Sequence, residues 1–260
     1  MKEKCGIFGI YTCLSSDECL QNVITGLELL QHRGQESCGI SYCIKDKLII
    51  DKKIGLVKEN FNKEDYYHNI NSCIGHVRYS TSGNSKLNLQ DKYKECQPLY
   101  GKSSLGEFYL AHNGNIPNVK MHDTQYIINF IQNSKHTSWK EILIEIIEKI
   151  PPAFCLLIIT KNEIFALRDK YGIRPLCIGK DDSGNSCISS ESCALQHYQY
   201  VRDVNPGEII KCNHKGYLSL YVSPNGKANI CAFEYIYFMK ENSLCNGISV
   251  KSLREMLGVH

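Results

Sequence analysis

The sequence predicts an α+β domain in which two sheets stack on each other and helices cover the outside. Three observations lead there: apolar stripes at helical spacing, short apolar runs that read as strands, and no Pro/Gly/Ser linker or charge block dividing the 260 residues. The chain opens with a strand in CGIFGI, residues 5–10. Leu20, Val23, Ile24, Leu27 and Leu30 then fall on one helical face behind the N-cap types Ser15, Ser16 and Asp17. Gly34 in QHRGQES breaks that helix, and residues 38–44 and 48–54 read as strands. Residues 73–80 and 108–116 are further strands, each ending in a polar, glycine-bearing loop, RYSTSGNS and HNGN. Helical spacing returns at Tyr126, Ile127 and Ile131, and again from Trp139 through Ile142, Leu143, Ile146 and Ile147 to Ile150, where Pro151 and Pro152 stop it. AFCLLIIT, EIFALRD and PLCIG follow as continuous apolar strands, which predicts a sheet buried on both faces. The strands at 208–212 and 217–222 alternate more and are expected at the periphery.

Composition narrows the function classes. Thirty Lys and Arg stand against 27 Asp and Glu, a net charge of +3 spread along the chain, so no nucleic-acid or anionic-membrane surface is expected. No segment approaches the ~20 apolar residues of a membrane span, and Met-Lys-Glu-Lys leads into a strand too short for a signal-peptide core. A cytoplasmic protein is therefore expected. The 14 cysteines lack CxxC pairs and Cys/His clusters, so they read as reduced thiols, mostly packing residues, with no metal site.

Cys5 is the residue with chemistry of its own. If residues 1–4 are removed as a propeptide, it carries a thiol and a free α-amine together. The thiolate is the reactive form, and an amine titrating near roughly 7.7–8.0 can take the thiol proton at neutral pH without a histidine. Taken alone, Cys5 favours the reading of a small buried hydrophobe in a first strand, since buried inert cysteines outnumber nucleophilic ones.

Eight segments in order, CGIFGI, LLQHRGQES, GHVRYSTSG, LAHNGNI, RDKYGIRPL, SSESCAL, DVNPGEI and FEYIYF, resemble the class II glutamine amidotransferases, and most closely the amidophosphoribosyltransferase branch. The resemblance implies a four-layer αββα sandwich of the N-terminal-nucleophile hydrolase type. It also implies hydrolysis of glutamine to glutamate and ammonia through a Cys5 thioester, with the ammonia destined for phosphoribosylamine formation in purine synthesis. Cys5 matches the nucleophile and base. Asn113 and Gly114 match the oxyanion hole, although an isolated HNGN reads as a hairpin turn. Arg78 matches the clamp for the glutamine carboxylate, a role suited to a planar charged fork, with an ordinary surface charge as the alternative. Asp123 matches the acceptor for the substrate ammonium, and it is also placed to cap the helix that follows. Arg33, Gly34 and Tyr79 are expected in support, Arg33 with a structural ion pair as its other reading. Residues 80–85 look like a mobile lid. His76 and His112 invite a Cys-His dyad, but structural hydrogen bonding is expected of them. RDKYGIRPL, with Arg168, Asp169, Arg174 and Pro175, looks like a scaffold turn.

The sequence departs from the family pattern at Gln125, where an acidic residue is usual, and at residues 239–242, Met-Lys-Glu-Asn for Ala-Arg-Pro-Asp. Residues 5–238 are expected to form the glutaminase domain. Residues 239–260, with Val250, Leu253 and Leu257, are expected to begin the connection to a phosphoribosyltransferase domain, which would bring its magnesium. No cofactor is expected in this chain. Asp181 and Asp182 imitate that domain's acidic pair but sit in Asp-Asp-Ser-Gly, a hairpin turn. Cys231 matches one iron–sulfur ligand of some relatives and cannot hold a cluster alone. The expected partners are glutamine, a phosphoribosyltransferase domain or subunit docking on the apolar surface around residues 233–238 and 250–257, and further copies in an oligomer. Two alternatives remain: a silent glutamine- or partner-binding domain that retains residues 1–4, and a glutaminase serving another acceptor.

Overall fold

A computed structural model describes residues 5–66, 68–79, 88–119 and 121–258. The proposed propeptide at 1–4 and the lid expected at 80–85 lie outside the described residues. In chain order the strands and helices are β1 (Gly6–Ser16), α1 (Cys19–Leu29), β2 (Ser37–Ile44), β3 (Lys47–Ile54), α2 (Val57–Asn60), β4 (Ile70–Arg78), α3 (Leu89–Glu95), β5 (Leu99–Ser103), β6 (Gly106–Gly114), α4 (Asp123–Gln132) and α5 (Trp139–Lys149). They continue with β7 (Phe154–Ile159), β8 (Ile164–Arg168), β9 (Cys177–Lys180), β10 (Ser186–Ser189), β11 (Gln199–Asp203), β12 (Glu208–Asn213), β13 (Gly216–Val222), a small hairpin at 244–249 and α6 (Val250–Gly258).

Two antiparallel sheets result, one in the order β11-β9-β10-β1-β4-β2-β3 and the other β13-β12-β8-β7-β6-β5. Three apolar layers bind them. Ile7, Ile74, Ala111, Leu157, Ala166 and Ile188 meet between the sheets. The α1 stripe of Leu20, Val23, Ile24 and Leu27 packs on Phe8 and Ile40 outside the first sheet. Ile127, Ile131, Ile142 and Ile146 of α4 and α5 pack on Phe108, Leu156 and Phe165 outside the second. This is the four-layer αββα order, and it places the apolar opening strand β1 at the centre of its sheet between β10 and β4.

Local expectations fared unevenly. Ser138 caps α5 by accepting from the Glu141 amide at 3.3 Å while its hydroxyl meets the Glu141 carboxylate at 2.8 Å, a reciprocal cap. The caps expected for α1 are not caps. Ser15 and Ser16 end β1, Glu18 takes the N-cap position without a side-chain bond, and Ser16 Oγ instead accepts from the Glu18 amide at 3.1 Å. The three apolar runs after Pro152 divide between the sheets, β7 and β8 in one and β9 in the other. β13 is an edge strand as expected. β12 is an interior strand with Glu208, Ile209 and Ile210 buried, because β13 covers its free edge.

The chain past 238 stays packed on the domain. Met239, Ser243, Cys245 and Val250 are buried, and Arg254 donates to the carbonyls of Tyr235 and Met239 at 2.8 and 2.7 Å. Val250 and Phe238 therefore leave the apolar surface expected there. Phe233, Ile236, Tyr237, Met256 and Leu257 remain on it, Tyr237 at 68% exposure.

Candidate active site

Cys5 stands immediately before β1, 7% exposed. Its carbonyl accepts from Arg33 Nε at 3.1 Å, and the next residues are fixed by the Gly6–Val77 register and by a bond from the Ile7 amide to Ser190 Oγ at 3.0 Å. Arg33 is wholly buried. Its Nη1 donates to Glu191 Oε1 at 2.6 Å and its Nη2 to Glu234 Oε2 at 3.0 Å, and Arg174 Nη1 reaches Glu234 Oε1 at 2.8 Å. Glu191 further accepts from His32 Nε2 at 2.8 Å, Ser243 Oγ at 2.8 Å and the Lys240 amide at 2.9 Å. Burial would raise the Glu191 carboxyl, but the His32 bond and the Arg33 charge outweigh it and hold the group at about 2. Burial would likewise lower Arg33, and Glu234 and Glu191 raise it instead. Two arginines and two carboxylates thus compensate one another in the interior and hold the Cys5 carbonyl from behind. The ion pair expected of Arg33 is present, and its Nε bond to the Cys5 carbonyl puts it beside that residue.

Glu191 and Glu234 were not singled out from the sequence. The available signal was an acid embedded in each of two motifs, SSESCAL and FEYIYF, whose neighbours are apolar or small. The unusual segment at 239–242 closes the same network through the Lys240 amide.

In front of Cys5, β4 ends at Arg78. Gly34 makes that position possible, since a Cβ there would stand 2.5 Å from the Arg78 carbonyl carbon and 2.7 Å from its amide nitrogen. The Arg78 guanidinium donates to two carboxylates, Nη1 to Glu36 and Nη2 to Glu95. Asn113 and Gly114 are the last residues of β6, paired with Cys155 and Phe154 of β7, so HNGN is a strand end and the hairpin-turn reading does not hold. A Cβ at Gly114 would lie 2.1 Å from the Ala153 carbonyl oxygen. That contact keeps the loop against Ala153, whose backbone exchanges two bonds with Asn115 at 2.8 and 3.0 Å. The Asn113 side chain is fully buried with neither amide atom bonded. Such a pair of orphans is costly unless a ligand atom completes it.

Asp123 is the first residue of α4 and not its cap. The cap position is His122, without a side-chain bond, and Asp123 Oδ2 instead accepts from the Ile116 amide at 2.9 Å. Burial raises its carboxyl, partly offset by that bond. His76 Nε2 donates to the His112 carbonyl at 3.1 Å, the His112 amide donates to Gln97 Oε1 at 2.7 Å, and His112 Nδ1 meets Thr124 Oγ1 at 3.4 Å. Burial lowers both imidazoles to about 3, so each is neutral near pH 7, in keeping with structural bonding.

Cys5, Arg78, Tyr79, Gly114 and Asp123 line one cleft of about 170 Å³, with Glu95 on its wall. Asn113, Arg33 and Gly34 are not among its lining residues: Asn113 precedes Gly114 on β6, Arg33 bonds the Cys5 carbonyl and Gly34 packs on the Arg78 backbone. Gln125 is exposed on α4 and bonds Asn129 at 2.9 Å, outside the cleft lining. The scaffold turn is heavily bonded: Arg168 donates to the carbonyls of Arg174, Val204 and Gly172, and Asp169 accepts from the amides of Tyr171, Phe154 and Ile173. Asp181 is consumed by its turn, accepting from the Asn185 amide at 2.8 Å and side chain at 2.7 Å, which leaves no acidic pair poised for a cation.

A buried cysteine at the start of a central strand, facing a strand end at Gly114 and an arginine and an aspartate across one cleft, is the arrangement to compare, and a family model described as a glutamine amidotransferase domain matches residues 84–197. The chain carries a glutamine amidotransferase domain. Its relatives are amidophosphoribosyltransferases: it is 36% identical to that of Methanocaldococcus jannaschii over 98% of this chain and 60% of that protein. It is 35% identical to that of Bacillus subtilis over 99% and 56%. The solved glutamine phosphoribosylpyrophosphate amidotransferase of B. subtilis, in complex with ADP and GMP, superposes with a TM-score of 0.83 at 34% identity, over 98% of this chain and 57% of that one. The chain spans between 47% and 60% of the length of these curated relatives, which corresponds to their glutaminase half. Among the described residues no helix is long and apolar enough to cross a membrane.

Proposed function

We propose that this chain is a glutaminase that hydrolyses glutamine through a Cys5 thioester and supplies ammonia for phosphoribosylamine formation from phosphoribosyl pyrophosphate in purine synthesis. The observation that carries the reading is the cleft itself, lined by Cys5, the Gly114 strand end, Arg78 and Asp123, with the buried, unbonded Asn113 amide next to Gly114 in the chain. With residues 1–4 removed, the Cys5 α-amine takes the thiol proton and the sulfur adds to the amide carbon of glutamine. The Asn113 Nδ2 and Gly114 N–H groups stabilise the oxyanion. The C–N bond then breaks, the α-amine returns the proton to the leaving nitrogen, and ammonia departs. Water, deprotonated by the same amine, cleaves the thioester to glutamate and restores the thiol. Arg78 and Asp123 hold the α-carboxylate and α-ammonium, whose charges do not change during the reaction.

The partner in this reading is a phosphoribosyltransferase domain or subunit, seated on the exposed Phe233, Ile236, Tyr237 and Leu257 surface in a cytoplasmic, oligomeric enzyme. No cofactor is assigned to this chain, since magnesium belongs with the transferase. The test is glutamate release by the processed protein, with Cys5→Ser as its partner experiment. Wild type should release glutamate and ammonia, Cys5→Ser neither, and intact mass should show a chain beginning at Cys5. Without a transferase domain, pyrophosphate should not be released from phosphoribosyl pyrophosphate with either glutamine or ammonia. Active protein retaining all four leading residues would sink the α-amine mechanism.

A further inference from the structure

The cleft wall carries one charged group that this mechanism leaves unused, the carboxylate of Glu95, and it sits where the substrate's own carboxylate should go. Arg78 lies between Glu36 and Glu95. The two acids are held differently. Glu36 is locked by its backbone, its amide donating to the Arg78 carbonyl at 3.0 Å and its carbonyl accepting from the Gly55 amide at 2.8 Å. Glu95 ends the short helix α3, its side chain is 30% exposed, and it lines the cleft beside Arg78 and Tyr79. A guanidinium offers a limited set of donor edges. Here Glu36 takes one edge and Glu95 takes the one on the cleft side. A third carboxylate entering beside both would add two repulsions to one attraction, so a bound amino acid and Glu95 exclude each other.

Resting on the glutaminase reading, we propose that Glu95 is an internal surrogate for the glutamine α-carboxylate, displaced on binding, and that it sets the affinity and the ligand class of the cleft. Only a ligand that brings its own carboxylate to Arg78 compensates that edge when Glu95 swings to solvent. A carboxamide without an α-carboxylate has no such compensation. Glu36 has the opposite role and positions the guanidinium for either carboxylate.

The two acids therefore predict opposite signs. In glutaminase kinetics of the processed protein, Glu95→Gln and Glu95→Ala should lower KM for glutamine roughly 3- to 10-fold, because the competent fraction of the cleft rises. Glu36→Gln should raise KM, and melting temperatures should establish that all three variants fold. An active wild type with KM unchanged or raised in both Glu95 variants overturns the surrogate and leaves the glutaminase reading standing. No hydrolysis and no calorimetric glutamine binding by any of the four proteins overturns that reading, and the surrogate with it.

Discussion

The two sides of Cys5 are built on opposite principles. Behind it, Arg33 donates through all three of its nitrogens and the two Glu191 oxygens accept from His32, Arg33, Ser243 and Lys240. In front of it, Asn113 Nδ2 and Oδ1, His112 Nε2, His76 Nδ1 and His122 Nδ1 are buried without partners. Saturated charge fixes a backbone, whereas unsaturated polar groups await a ligand. The rear is the part that the fold must complete for itself. In the glutaminase reading the front is left for the substrate to complete.

Glu234→Gln should separate the two sides most forcefully. It removes one charge from a buried set, leaving Arg174 without its carboxylate and Arg33 with Glu191 alone, which by analogy with broken buried pairs costs about 3–5 kcal/mol. Chemical denaturation should show that loss. A change under about 1 kcal/mol would mean that the rear network does not carry the fold. Asn113→Leu is the contrasting experiment at the front. It replaces two unbonded polar atoms with apolar ones of similar shape, so stability should hold or rise. Turnover should nonetheless fall about 10²–10³-fold, the usual loss for one oxyanion donor. Stability falling together with turnover would show that the Asn113 amide is bonded in solution and serves the fold.

The same division explains what could be read from the sequence. The front residues Arg78, Asn113, Gly114 and Asp123 each end a strand or begin a helix next to a glycine-bearing or polar loop, and short motifs preserve that arrangement. The rear is written across the chain, Arg33 meeting acids 158 and 201 residues away, and no spacing rule encodes such pairs. Elements divide likewise. α5 was legible because its stripe recurs at 3.6 residues, while α3, LQDKYKE, is two turns long with only Leu89 and Tyr93 apolar and is capped by Asn88, which accepts from the Asp91 amide at 2.9 Å. β10 and β11, SCIS and QYVRD, are too short and mixed to announce themselves and exist through β9, which pairs with both. The assignment of β9 to the other sheet depends on the turn at 168–175, whose arginine and aspartate bind backbone rather than ligand.

The smallest difference to be read, a change of slope of about 1.4 kcal/mol per pH unit, comes from a pH dependence of the front. His76 and His112 carry pKa values of about 3 in the fold against 6.5 in a free chain, with burial as the leading cause. A depressed pKa gives stability that is complete above the unfolded value and is lost as pH falls toward the folded one, because the unfolded chain binds the extra protons. Each imidazole should therefore cost about 1.4 kcal/mol per pH unit between roughly 6 and 3.5. The rear responds later. Glu191, at about 2 against 4.5, keeps its contribution until the pH drops below its unfolded value. Acid unfolding should accordingly begin near pH 6 from the cleft side, while the charged network is still intact. Denaturation curves across pH 4.5–7 test this, with His112→Gln as the comparison: its slope should be shallower than that of wild type by about 1.4 kcal/mol per pH unit. Equal slopes would mean that His112 is protonated or solvated in the folded protein, and the front would then be far less dry than its unbonded nitrogens imply.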